Sequence, residues 1–237
     1  MNQIQKSEIH IYRINFSLWK EYIFEEIDSL KFLQSDELKK VNNLKFREDK
    51  ERALMTFYLR RKILSSYLEI SPEKIFFNSN RFGKPFIHPD LNSDIRFNYS
   101  HSGDYLILAV CNDSELGIDI EEIKEIPELE WLAENNFSDS EFLAFISFNN
   151  EKERLNFFYK IWTRKEAILK GMGTGITNDL KQITLFQPPI NDSVFTNEFM
   201  KYNDWILSDL IVPENYSAAL AYQSENLKKL VYFDTIL

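Results

Sequence analysis

Two hydrophobic periods organise the chain. Ile9-His10-Ile11-Tyr12-Arg13-Ile14-Asn15-Phe16 alternates apolar and polar residues and predicts a strand. Residues 19–34 read as a short helical or irregular passage. A helix is predicted from Ser35, with Ser35 as its N-cap. A second runs from about Glu48 to Glu69, with Leu54, Phe57, Tyr58, Ile63, Leu64 and Leu68 at helical spacing. After a turn at Ser71-Pro72-Glu73, Lys74 to Asn78 reads as a short strand. Asn80-Arg81-Phe82-Gly83-Lys84-Pro85 is a turn-rich loop. Residues 95–100 predict another strand. Tyr105 to Cys111 is apolar throughout, the pattern of a strand buried on both faces. Asn112-Asp113-Ser114-Glu115 reads as a hairpin turn. Leu116 to Glu121 then alternates strictly, and its apolar predecessor makes it a central strand. Helices are predicted after Pro127, from Ser138 to Phe148 and over 151–170. The remainder is β-like: Gln182 to Phe186, Trp205 to Ser208 and Tyr216 to Tyr222, punctuated by Pro188-Pro189 and Pro213.

The run from Asp104 to Val110 is echoed in pattern by the run from Asn215 to Ala221. Both follow a turn and both resemble buried strands. The echo points to an α+β fold of two related halves, residues 1–112 and 113–237.

The 237 residues suffice for an ample core, and 44% apolar with 27% charged residues is ordinary for a globular protein. The net charge of −9 argues against a nucleic-acid binder, though not against a local basic pocket. The single cysteine, Cys111, lies in an apolar run and reads as a buried thiol in a reducing compartment. The polar N-terminus lacks a signal-peptide core, and no apolar run approaches the ~20 residues of a membrane helix. The expectation is a cytoplasmic monomer that engages neither membrane nor nucleic acid.

The chemistry gathers at few positions. On a helical wheel, Phe157, Phe158, Ile161, Trp162, Ile168 and Leu169 form one apolar arc, and Lys165 falls within it. Glu166 sits at its edge, with Lys170 at i+4. A lysine facing the core is costly without water or a partner. It either snorkels or belongs to a charged site, and Glu166–Lys170 either forms a plain helix ion pair or faces that site. Asp119 and Glu121 share one face of a strand, about 6–7 Å apart at the backbone. That arrangement suits either a solvated edge or a hard divalent cation. Ser100-His101-Ser102-Gly103 ends a strand. Neighbours on an extended chain point apart, so Ser and His are not a nucleophile–base pair; they form a capped turn or contact an anion. Lys39, Lys40, Arg52 and Lys84 are either surface charges or, with His101 and Lys170, the neutralisers of a polyphosphate. The glycines at 171, 173 and 175 follow a helix rather than precede one, so they cap it.

Taken in order, four motifs resemble the 4′-phosphopantetheinyl transferases of the larger, surfactin-synthetase-activating type. They are Gly83-Lys84-Pro85; Phe97-Asn98-Tyr99-Ser100-His101-Ser102; Gly117-Ile118-Asp119-Ile120-Glu121; and Trp162-Thr163-Arg164-Lys165-Glu166-Ala167-Ile168-Leu169-Lys170. The stretch from Phe46 to Arg52 is a fainter match. The resemblance implies two similar α+β halves related by a pseudo-twofold, with the active site between them. It implies Mg²⁺-dependent transfer of phosphopantetheine from coenzyme A to a serine of an apo carrier protein, releasing 3′,5′-ADP. It makes Asp119, Glu121 and Glu166 metal ligands, and Glu166, Asp119 and Lys170 the catalytic groups. Lys39, Arg52, Lys84, Pro85, Ser100, His101, Lys165 and Lys170 become coenzyme A contacts. Lys165 matches the lysine of the family's Lys-Glu pair, and its role, ligand contact or orientation of the acidic cluster, stays open. Asp36 stands where many family members carry a further lysine, which weakens phosphate contact from that helix. Two other readings remain: a non-catalytic binding module for coenzyme A or carrier protein on the same fold, and a metal-dependent phosphohydrolase.

Overall fold

The computed structural model describes residues 3–26, 32–175, 180–186 and 199–234. Its first part comprises β1 (Glu8–Asn15), α1 (Phe16–Glu26), α2 (Ser35–Asn43), α3 (Arg47–Leu68), β2 (Phe77–Ser79), β3 (Pro85–Ile87), β4 (Ile95–Ser102) and β5 (Tyr105–Asn112). Its second comprises β6 (Leu116–Glu122), α4 (Leu129–Asn136), α5 (Asp139–Ser147), α6 (Glu151–Met172), β7 (Met200–Tyr202), β8 (Trp205–Asp209), β9 (Tyr216–Gln223) and β10 (Lys229–Phe233).

Two four-stranded sheets, ordered β10-β1-β5-β4 and β6-β9-β8-β7, carry the fold, and β2 and β3 form a separate hairpin. Strand parity explains how the layers stack. On β5, Leu106, Leu108 and Val110 join Leu59, Ile63 and Leu64 of α3 in one core. The alternate residues Ile107, Ala109 and Cys111 pack with Ile118 and Ile120 of β6 and Leu220 of β9 in a second. Ala219 and Ala221, on the far side of β9, pack with Ala167, Ile168 and Leu169 of α6. The layers therefore run α3, first sheet, second sheet, α6. β5 is buried on both faces, as its unbroken apolar run requires. Cys111 is buried, and burial pushes its thiol pKa up to about 12.

The halves repeat a topology. β1 pairs antiparallel with β5 and β5 with β4; β6 pairs antiparallel with β9 and β9 with β8. α3 and α6, each of 22 residues, occupy equivalent places between the first strand and the later ones. β5 and β9, the two echoed segments, hold the same position in this scheme. One strand breaks the division at residue 112: β10 crosses back to pair in parallel with β1.

Several sequence expectations change. The turn after β5 is not a hairpin, because β6 enters the other sheet; Asp113, at φ 66°, makes the link. β6 is an edge strand by hydrogen bonding rather than a central one, and it is buried by side chains instead. Residues 182–186 form no strand: a 3-10 turn spans Leu180–Gln182 and irregular chain follows. Gln34, not Ser35, caps α2, in a capping box with Glu37. The strand expected over 74–78 begins at Phe77, after a 3-10 turn at Pro72–Lys74. Pro188-Pro189 lies outside the described residues.

Candidate active site

β4 and β6 are the edges at which the two sheets meet. On β4 the residues Asn98, Ser100 and Ser102 share one face by the period of two, and each bonds β6. The Asn98 side-chain oxygen accepts from the Ile118 amide (3.0 Å), Ser100 Oγ donates to Asp119 Oδ1 (2.9 Å), and Ser102 Oγ donates to Glu121 Oε2 (2.8 Å). The strands thus form a polar seam in which side chains of one replace the missing ladder partner of the other. On the opposite side of β6, Ile118 and Ile120 fill the core between the sheets.

α6 closes the seam. Lys170 Nζ donates to Asp119 Oδ1 at 2.6 Å and to Ser100 Oγ at 2.7 Å. Asp119 is 2% exposed and Glu166 9%. Two oxygens, Asp119 Oδ2 and Glu166 Oε1, are buried without a hydrogen-bond partner. An orphaned carboxylate oxygen is costly to bury. Burial raises the pKa of Asp119, partly offset by Lys170. Burial, then the Asp119 charge, raises that of Glu121. Burial, then the charges of Asp119 and Glu121 against the opposing Lys170, lift Glu166 to about 7. Three carboxylates facing one lysine are short of positive charge. Among the described residues no three His, Cys, Asp or Glu side chains stand close enough together to hold a metal as they are. The orphaned oxygens and the hard carboxylate donors nevertheless fit a hard divalent cation.

Beside this cluster lies a cleft of about 350 Å³ lined by Lys84, Pro85, Asn98, Tyr99, Glu166 and Lys170, among others. Lys84 Nζ donates to the Gly171 carbonyl (2.7 Å) and pairs with Glu115 (2.8 Å). Of the residues expected to contact ligand, Lys84, Pro85 and Lys170 line the cleft and Ser100 touches its wall through Lys170. His101 follows on β4. Desolvation of its ring, then the charges of Lys170 and Arg52, hold its pKa below the usual value. Arg52 lies 3.7 Å from Asp49 on α3. Lys39 and Lys40 are exposed on α2, and neither Lys39 nor Arg52 lines the cleft.

Lys165 departs from expectation. Its side chain is 1% exposed. Its ammonium contacts Glu141 Oε2 (2.7 Å) and the carbonyls of Asn136, Leu180 and Ile183 (3.0, 2.7 and 2.8 Å). Four oxygens saturate it, so it contacts neither a cleft ligand nor Asp119, Glu121 or Glu166. Glu141 was not singled out from the sequence. It follows Ser138 by three residues and caps α5, a pattern that marks its local role but not its partner. Asn98 and Ser102 were also missed as individual site residues, although their period-two match to Ser100 was available.

The family description "4'-phosphopantetheinyl transferase superfamily" matches residues 115–221, and "4'-phosphopantetheinyl transferase, N-terminal" matches residues 18–113. The chain is 30% identical over 215 residues to 4'-phosphopantetheinyl transferase HetI of Nostoc sp., spanning 90% of this chain and 87% of that protein. The chain belongs to the 4′-phosphopantetheinyl transferase family. It is also 33% identical over 162 residues to 4'-phosphopantetheinyl transferase ffp of Bacillus subtilis, spanning 68% and 70% of the two chains. Identity to the L-aminoadipate-semialdehyde dehydrogenase-phosphopantetheinyl transferase of Xenopus laevis is 27% over 204 residues, spanning 80% and 68%. Among the described residues, no helix of this transferase-family chain is long and apolar enough to cross a membrane.

Proposed function

We propose that the protein moves the phosphopantetheine group of coenzyme A to a serine of an apo carrier protein, releasing 3′,5′-ADP. The observation that carries this reading is the seam cluster of Asp119, Glu121 and Glu166, orphaned at two oxygens, which meets through Glu166 a cleft that Lys84 and Lys170 also line. Nothing in a β4–β6 contact requires that arrangement for stability.

The serine hydroxyl attacks the β-phosphorus of the pyrophosphate, the bond to 3′,5′-ADP breaks, and the serine proton passes to a carboxylate. Glu166, whose pKa burial and the neighbouring carboxylates raise to about 7 in the absence of a cation, fits that acceptor. Lys170 fits the neutralisation of phosphate charge, and Ser100 holds both Lys170 and Asp119 in place. A divalent cation held by Asp119, Glu121 and Glu166, which we take to be Mg²⁺, would add Lewis-acid stabilisation of the pyrophosphate. Lys84 and Pro85 bind the nucleotide end, with His101, Arg52 and Lys39 as outer contacts for its remaining phosphate. The chain acts as a monomer in the cytoplasm, and its two halves, 1–112 and 113–237, each supply part of the site.

Incubation with coenzyme A, Mg²⁺ and apo carrier proteins of the acyl, peptidyl and polyketide classes tests the reading. A carrier that gains the phosphopantetheine mass supports it. No gain with any class overturns it, and binding without transfer would favour a non-catalytic module.

A further inference from the structure

α3 turns two consecutive arginines into the interior. Arg60 is 3% exposed and Arg61 0%. The carboxylate that answers both is Glu37 of α2, itself 3% exposed: Arg61 Nη1 and Nη2 donate to its two oxygens at 2.9 and 2.6 Å, and Arg60 Nη2 donates to Oε1. Among the described residues, two guanidiniums against one carboxylate leave a buried cluster with one positive charge in excess. A buried charge in excess is unfavourable unless something nearby answers it.

Among the described residues the cluster reaches the cleft through Arg60. Arg60 Nη1 donates to the Tyr99 hydroxyl at 3.3 Å, and its guanidinium lies 5.4 Å from that ring's centre and 3.8 Å from that of Phe77. Tyr99 lines the cleft beside Lys84, Glu166 and Lys170. Its ring stacks on Phe97, with planes 3° apart, which fixes where the hydroxyl sits. A tyrosine oxygen that accepts from a guanidinium keeps its own proton to donate. The cation behind it strengthens that donation, most of all toward an anion.

We propose that Tyr99 is a further binding residue of the cleft, donating its hydroxyl proton to a phosphate oxygen of the bound substrate. Arg60 is its positioning residue, and the excess charge of the Arg60–Arg61–Glu37 cluster is answered by that phosphate. The assignment of coenzyme A as the ligand rests on the preceding section; the anion preference of Tyr99 does not.

The test is Tyr99→Phe, which removes one oxygen and keeps the ring. Calorimetric affinity for coenzyme A should weaken about tenfold, the usual worth of a hydrogen bond to a charged group. KM for coenzyme A should rise alike while kcat holds. Binding of adenosine, which carries no phosphate, should not change. Equal weakening for dephospho-coenzyme A places the contact on the pyrophosphate; weakening for coenzyme A alone places it on the 3′-phosphate. Unchanged affinity for every phosphorylated ligand overturns the proposal, as does an equal loss for adenosine, which would mark a packing role even if the variant were less stable. Should the unaltered protein neither bind nor use coenzyme A, the functional reading fails by itself. Inorganic pyrophosphate then serves as the probe, and binding of it insensitive to Tyr99→Phe sinks the inference.

Discussion

Gly117 of β6 lies against Gly171 of α6 with no side chain between them. A Cβ added at Gly117 would stand 2.1 Å from the Gly171 nitrogen and 2.2 Å from the Ala167 carbonyl oxygen. Backbone atoms of a helix cannot step aside as a side chain tip can. This close approach carries Glu166 and Lys170 to the carboxylates of β6, so the site depends on an atom that is missing. Gly117→Ala should cost more than the ~1–3 kcal/mol of ordinary overpacking. Any folded fraction should lose transfer about 100-fold, because α6 displaced by an ångström misplaces both groups. Thermal unfolding and transfer rate check the two halves of this expectation.

Glu166 ties activity and stability to pH in opposite senses. As a base it must be ionised, so the rate should climb with pH and level off, and with the cation bound the midpoint should lie below the metal-free value of about 7. Its folded pKa lies above the ordinary value of 4.5, so the folded state holds a proton that the unfolded state releases. The resulting destabilisation is absent below about pH 4.5 and fully present above about pH 7. Glu166→Gln should therefore abolish most transfer while raising the metal-free melting temperature at pH 8. The gain, of order 1–3 kcal/mol after allowance for partial solvent access, should vanish near pH 4.5. A variant that melts lower than the parent at pH 8 would contradict this assignment.

The chemistry was more legible in the sequence than the architecture. Asp119 and Glu121 are read from a strict alternation, and alternation survives any sheet arrangement, so their common face was correct even though β6 proved to be an edge strand. Its open edge is met by Asn98, Ser100 and Ser102 on a strand about 20 residues away, and a local pattern does not reveal such a partner. Lys165 shows the same limit. Its place on the apolar arc was legible, but three of its four partners are carbonyls, which every residue has. Residues 182–186 read as a strand because they are apolar in alternation. In the fold Ile183 and Leu185 fill the core beside α6, and among the described residues no strand pairs with them.

The Lys165–Glu141 pair predicts a stability effect without a binding effect. Glu141 also accepts from the amides of Ser138 (2.8 Å) and Leu185 (2.6 Å), so the pair joins α5, α6 and the segment after residue 180. Burial lowers the Lys165 pKa, and the Glu141 charge opposes that shift. Lys165→Met leaves three carbonyls and a carboxylate unanswered and should cost about 3–5 kcal/mol. Affinity for coenzyme A in the fraction that remains folded should match the parent protein. A selective loss of affinity at unchanged melting temperature would return Lys165 to the binding site.

The last expectation concerns the divalent cation. Ser102 reaches no part of the cleft lining, but its hydroxyl donates to Glu121 Oε2 and accepts from the Glu122 amide (3.1 Å), which fixes the direction of the Glu121 carboxylate. A group that orients a metal ligand typically alters metal affinity by about 10–100-fold when removed. Ser102→Ala should therefore raise the Mg²⁺ concentration needed for half-maximal transfer by about that factor and leave the maximal rate near the parent value once Mg²⁺ saturates. Asp119→Asn should not be rescued by added Mg²⁺, since it removes the charge of a ligand and disrupts the Lys170 contact at 2.6 Å as well. Chelation should silence the parent protein reversibly. Transfer at full rate in excess chelator would remove the cation from the mechanism and leave Lys170 as the principal counter-charge to the pyrophosphate.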